Sequence, residues 1–340
     1  MIELSLLVTV VAAVIYHELI TYGLSQAKGQ LKIVWEAVPT QEILKDPNFP
    51  DSLKKKLILI QEIRKFAVDS LGINDTENYT SVYDQKGKPI LWTVTACEPY
   101  KLKAKEWRFP VLGSVSYKGF FYRPAAIREA QELKDKGYDV DIALTSGWST
   151  LGFFRDPILS NMLYRSEGDL ANLIIHELTH ATLYVKSSVD FNENLASFIG
   201  DQGAQRFLKY KFGKDSKELS NYMQDKKDED RFNKYILSSA GRLDSLYRMY
   251  EKHPEAANIE QIKHQLVIDI VKDVDKMQFR NKKRFKRSAL RALSSENAYF
   301  MMFIRYDSAQ GIFESEFKEK FNSDIRKYLG HLKQKYPSVN

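Results

Sequence analysis

The residues best placed to do chemistry are H-E-L-T-H at positions 176–180. In a helix, residues four apart project from one face. His176 and His180 can therefore present two imidazole nitrogens to a single Zn²⁺ ion. Glu177 can lie beside that ion without ligating it, where its carboxylate would accept a proton from activated water. The alternative is a buried helix holding two hydrogen-bonded histidines. The chain has only 6 histidines in 340 residues, so chance seldom assembles this pattern. The expectation is one Zn²⁺ ion and no other cofactor.

A catalytic zinc takes three protein ligands and keeps a fourth position open. Two familiar spacings for the third ligand fail, because Lys186 stands ten residues after His176 and Gly200 stands twenty-four after it. Glu193, within F-N-E-N-L-A-S-F-I-G, is the better candidate. The preceding Y-V-K-S-S-V-D-F can form a short reversal. A helix starting near Asn192 would then run back beside the first, with Glu193, Ser197, Gly200 and Ala204 on one face. The small residues at the last three positions would permit close approach. If no reversal forms, Glu193 is simply a first-turn glutamate favoured by the helix dipole. Asp201 and Glu296 are weaker alternatives as third ligand.

These residues need rigid carriers. Ser166 can cap the histidine helix with Asp169 in the capping-box position, and Leu170, Leu173, Ile174, Leu178 and Leu183 supply apolar packing. Upstream, Leu53, Leu57, Ile60, Ile63, Ala67 and Leu71 form a helical stripe that Gly72 can stop. Residues 25–75 thus read as a helical prelude. Residues 80–150 read as a strand-rich part. I-L-W-T-V-T-A-C-E and Y-D-V-D-I-A-L-T-S alternate as strands, and V-L-G-S-V-S-Y-K-G-F-F-Y reads as one strand bent at Gly113 or Gly119. A helix from Pro124 to Gly137 lies between them. From 157 to 340 the pattern is almost entirely helical, with the charge-dense run at 213–231 read as an exposed turn and Pro254 starting or interrupting a segment. The expected class is α+β, mainly helical with a small strand-rich layer.

Composition narrows the function classes. Apolar residues make up 44% and charged residues 28%, which excludes a disordered chain. The net charge of +7 is modest, and the basic run K-K-R-F-K-R at 282–287 has no accompanying nucleic-acid motif. No nucleic-acid partner is expected. Cys97 is the only cysteine, so an intrachain disulfide and a cysteine-based zinc site are both excluded. The apolar run at 4–16 is shorter than a bilayer span, and counting on to Leu24 gives an adequate length. Residues 1–24 read either as a membrane anchor or as a helix buried in the protein. Membrane association through residues 4–24 is expected, with orientation unspecified.

H-E-L-T-H-A-T-L-Y-V-K-S-S-V-D-F-N-E-N-L-A-S-F-I-G-D-Q-G resembles the signature of a bacterial family called "putative zinc aminopeptidases", which is gluzincin-like and carries HELxH, a short spacer and FNExxA. The blocks Y-G-L-S-Q-A-K-G-Q-L, I-R-K-F-A-V-D-S-L-G-I, S-T-L-G-F-F-R-D-P-I-L-S-N-M-L and S-S-E-N-A-Y-F-M-M-F-I-R-Y extend the resemblance over most of the chain. The resemblance implies a zincin-like catalytic domain over 25–340. It also implies His176, His180 and Glu193 as metal ligands, Glu177 as base, and a peptide or protein substrate. This chain departs from the family in having Gly147 and Trp148 before S-T-L-G and no cysteine near the end of its first segment. A GxMEN-like exopeptidase loop is also missing. An endopeptidase acting at the envelope is therefore the rival activity, and a non-catalytic zinc scaffold a more distant one.

In zincins an edge strand beside the metal helix binds the substrate backbone. Ser149, Thr150, Leu151 and Gly152 are the candidate substrate contacts by strand addition, the alternative being a turn into the helix that follows, and Phe153 and Phe154 either line a side-chain pocket or pack in the core. Of Asn297, Tyr299, Arg305 and Tyr306, Tyr306 is the preferred donor to a developing tetrahedral oxygen. The oligomeric state is left open.

Overall fold

The computed structural model of the chain describes residues 17–109, 113–145, 155–253 and 258–338. Helix accounts for 66% of the structure, so the short sheets are pieces laid on a helical body. The first described helix, α1 (His17–Glu36), ends before Pro39, which cannot donate to the helical ladder. Residues 1–16, the apolar part of the expected anchor, lie outside the described residues. No described helix is long and apolar enough to cross a membrane.

α2 (Thr40–Lys45) leads to α3 (Asp51–Phe66), whose stripe Leu57, Ile60 and Ile63 is fully buried. The helix widens into a π turn over Ala67–Leu71 before Gly72 ends it at φ 77°. That positive φ is easy only for a residue without Cβ.

The strands are β1 (Val38–Pro39), β2 (Ser81–Tyr83), β3 (Trp92–Cys97), β4 (Trp107–Phe109), β5 (Gly113–Val115), β6 (Lys118–Phe120), β7 (Asp139–Leu144) and β8 (Ile158–Leu159). They form the sheets β1-β2-β8, β6-β3-β7 and β4-β5. β3 is central in its sheet and antiparallel to β7, with Trp92 opposite Leu144 and Cys97 opposite Asp139. Its Val94 and Ala96 face α4 (Arg123–Asp135) and are buried with Ala126, Ala130 and Leu133. The expected single bent strand around Gly113–Gly119 is in fact two, β5 and β6, in different sheets. Ser116 and Tyr117 between them turn toward the C-terminal helices, where Arg305 holds Ser116 through both its hydroxyl and its carbonyl.

The helical body follows: α5 (Glu167–His180), α6 (Val189–Phe212), α7 (Lys217–Lys252), α8 (Ile259–Lys276), α9 (Lys282–Leu290), α10 (Ala292–Ser295), α11 (Asn297–Asp307), α12 (Gln310–Phe321) and α13 (Ile325–Lys335). The charge-dense run at 213–231 is not mainly a turn. Only residues 213–216 turn, and the rest opens the 36-residue α7, capped by the Ser216 hydroxyl. Closely spaced Lys and Asp on one helix support each other at i,i+4, as Lys226 and Asp230 do here, so charge density alone does not signal a break. Pro254 lies outside the described residues.

Two larger cores result. One joins α3, α5, α6, α12 and α13 through Leu57, Ile174, Leu195, Phe207 and Tyr328. The other joins α7 to α11 through Phe232, Leu243, Ile270, Phe285 and Phe300.

Candidate metal centre

α5 starts as its sequence dictates, with the Ser166 hydroxyl accepting from the Asp169 amide at 3.1 Å. Its apolar side, Leu170, Ile174 and Leu178, enters the first core. The helix ends at His180, and the chain reverses over residues 181–188. Asn192 closes that reversal. Its side-chain oxygen accepts from the Val185 amide and its amide donates to the Val185 carbonyl, both at 2.8 Å. The amide side chain thus stands in for a peptide partner and fixes where α6 departs. α6 begins at Val189, three residues earlier than expected. Asn194, on the other side of Glu193, donates to the Arg305 carbonyl and accepts from the Ala309 amide. The asparagines flanking Glu193 therefore tie its helix to the reversal and to the end of α11.

The helices then lie very close. A Cβ on Gly200 would stand 3.0 Å from the Asn172 carbonyl oxygen and 3.2 Å from the His176 Cβ. Only glycine permits that approach without movement, and it lets Glu193 reach both histidines. The His176 and His180 Nε2 atoms are 3.2 Å apart. A Glu193 carboxylate oxygen lies 3.4 Å from the first and 3.3 Å from the second. Tetrahedral ligands at about 2.0–2.1 Å from a zinc ion are roughly 3.3–3.4 Å apart, so the triangle has the size a zinc site needs. The donor set also fits: two imidazoles and a carboxylate, gathered in a buried pocket. Among the described residues this is the one such cluster of metal-binding side chains.

The other third-ligand candidates are engaged elsewhere. Asp201 accepts from Tyr222 and Gln205, and Glu296 pairs with the buried Lys263.

Glu177 is 8% exposed. Burial, with Glu193 and Asp156 nearby, raises its carboxyl to about 7 against the pull of His176 and Arg165. Burial also works to raise Glu193, but His180 and His176 outweigh it and hold that carboxyl below the usual range. Two carboxylates in one pocket are thus driven apart in proton affinity.

Tyr306 stacks its ring on His176, with centroids 6.4 Å apart. Burial and the Glu193 charge raise its hydroxyl well above the ordinary phenol value, so it stays protonated and able to donate. Of its expected companions, Arg305 is taken up by Ser116. Tyr299 faces Ser288, and Asn297 binds Tyr247 and the Glu98 carbonyl. Ser149, Thr150, Leu151, Gly152, Phe153 and Phe154 lie outside the described residues.

The sequence reading missed four neighbours. Tyr184 packs edge-on to His180 at 5.9 Å, and burial pushes its hydroxyl up to about 12. Tyr117 faces Glu193 from the β5–β6 connection, while Asp156 and Arg165 act on Glu177. Tyr184 had a legible signal, four residues beyond His180. The others had none, since only the tertiary fold brings them in.

Residues 21–335 match the family described as "Putative aminopeptidase", and the chain belongs to that family. No curated protein and no solved structure matches it. The family description points to peptidase activity.

Proposed function

We propose that the chain is a zinc-dependent peptidase that hydrolyses peptide bonds with Glu177 as general base, and that it acts as an aminopeptidase. The observation that carries this reading is the near-equilateral triangle of His176, His180 and Glu193 with Glu177 beside it. A zinc ion held by the triangle would supply Lewis acidity toward a water molecule and the scissile carbonyl. The chain's own groups would do the rest. Glu177 takes a proton from the attacking water and returns it to the leaving amine. Its raised carboxyl makes it able to hold and release that proton near neutral pH, and a neighbouring dication would favour its proton-accepting form. Tyr306 donates its hydroxyl to the oxygen on which negative charge develops. Asn192 and Gly200 act only by holding Glu193 in place.

The test is Glu177→Gln, which keeps the side-chain size and removes the base. Zinc should remain bound at the parent stoichiometry, while hydrolysis of a cleavable peptide slows by roughly 10²-fold or more. Cleavage at the parent rate by a zinc-loaded variant would refute the mechanism. Product analysis separates the two peptidase forms: release of single N-terminal residues identifies an aminopeptidase, and internal cuts an endopeptidase.

We also propose envelope localisation through residues 4–24. The apolar run at 4–16 leads directly into α1, which leaves Leu19, Ile20 and Leu24 exposed. Deletion of these residues should move the protein from the membrane to the soluble fraction.

A further inference from the structure

A cleft of about 470 Å³ lies outside the metal centre, walled by Asn281, Lys283, Arg284, Arg287, Ser288 and Arg291. Lys283, Arg287 and Arg291 recur every four residues along α9 and its continuation, so they share one face. Like charges at that spacing repel and weaken a helix, and α9 contains no acidic residue to offset them. The neighbouring carboxylates are already committed. Glu229 holds Arg284, Asp141 holds Arg291, and Asp275 holds Lys282 and Lys286. Lys283 and Arg287 have no carboxylate partner among the described residues, and both are exposed. The cleft therefore offers two unspent cations, with hydrogen-bonding groups from Asn281 and Ser288 beside them.

Two connections tie the cleft to the metal centre. The Arg165 side chain lies within electrostatic reach of both Arg284 and Glu177. Ser288 faces the Tyr299 hydroxyl at 3.4 Å, and Tyr299 shares a stripe of α11 with Tyr306, about 10 Å further along the helix. Tyr306 in turn stacks on His176. The steps of that route, 3.4 Å, about 10 Å and 6.4 Å, hold the cleft within roughly 20 Å of the triangle, a span that an extended peptide covers in about six residues. We propose that this cleft is a subsite for a carboxylate of the peptide substrate, within about six residues of the bond that is cut. The inference rests on the peptidase reading and adds a substrate class to it: peptides carrying an acidic side chain or a free C-terminal carboxylate within that distance.

The test compares fluorogenic peptides identical except for Asp or Asn at one position, placed in turn from the third to the sixth from the cleaved bond. Each is made with an amidated and with a free C-terminus, which separates the two sources of the carboxylate. In the parent, the acidic member of the best pair should have a kcat/KM about tenfold higher at low salt, mostly through KM. The preference should shrink as salt screens it. In Lys283→Gln/Arg287→Gln the ratio should fall close to one. The melting temperature should not fall, since like-charge repulsion is being removed. No preference in the parent, or the same preference in the double variant, overturns the proposal. If the double variant loses only its binding to phosphatidylcholine–phosphatidylserine vesicles and keeps the acidic preference, the cleft is a membrane patch and the proposal is also overturned. If no peptide is cleaved, the peptidase reading fails separately. Equilibrium binding of the labelled Asp and Asn peptides then decides: tighter binding of the acidic peptide that the double variant loses supports the subsite, and equal binding rejects it.

Discussion

Gly200→Ala probes how closely the proposed metal ligands are held. The added methyl would stand 3.0 Å from the Asn172 carbonyl oxygen, 3.2 Å from the His176 Cβ and 3.3 Å from the Asn172 side-chain oxygen. Ordinary contact needs roughly 3.5 Å, so α6 must retreat from α5 by about half an ångström. The displaced atoms are backbone and a ligand's own Cβ, which cannot swing aside as a flexible side-chain end can. Glu193 lies two helical turns away on the same rod and moves with it. Metal–ligand distances tolerate only about 0.2 Å, so zinc affinity should fall by roughly tenfold or more. Overpacking costs about 1–3 kcal/mol, while helix propensity returns about 1 kcal/mol. The net loss of stability should therefore be small beside the loss of metal affinity. Gly241→Ala in α7 is the matched control, because nothing lies within 4 Å of its Cβ position. It should raise stability by about 0.5–1 kcal/mol and leave zinc binding unchanged. Chelator competition gives the affinities and thermal melts the stabilities. If Gly200→Ala binds zinc like the parent and stabilises as much as Gly241→Ala, the close approach of the helices does not set the site.

Tyr306→Phe keeps the ring on His176 and removes the donor. Turnover should fall by roughly 10²-fold with little change in KM, and a raised KM with unchanged turnover would make Tyr306 a binding residue instead. Asp307 reports on burial. Its carboxyl is raised to about 6, chiefly by desolvation and against the opposing charge of Lys226. A carboxyl raised in the folded state binds its proton more tightly there than in the unfolded chain. Its contribution is therefore fully present below about pH 3.9 and lost as pH rises through about 6. Between pH 7 and pH 5 the parent's melting temperature should rise relative to that of Asp307→Asn, and parallel curves would contradict the assignment.

Local pattern carried much of this structure. The stripe ending at Gly72, the alternation in β3 and β7, and the Ser166 cap all depend on neighbours within a few residues, and each lies where its spacing predicts. Glu193 was legible for a related reason: a short reversal and small residues at helical spacing leave few ways to arrange the two helices. The split of one expected strand into β5 and β6 was not legible, because Ser116 is drawn out of line by Arg305, 189 positions away. Nor was the continuity of α7 through its charged opening, where i,i+4 pairs replace the turn that composition suggested. Tyr117, Asp156 and Arg165 reach the site only through packing between distant segments, which no local spacing encodes.

The central claim is that His176, His180 and Glu193 together hold one zinc ion. A crystal structure of the zinc-loaded protein with anomalous data collected on both sides of the zinc edge tests it directly. The account predicts one peak per chain, bonded at about 2.0–2.3 Å to both Nε2 atoms and to a Glu193 oxygen. A fully loaded protein whose peak lies elsewhere, or whose third protein ligand is a residue other than Glu193, would contradict it.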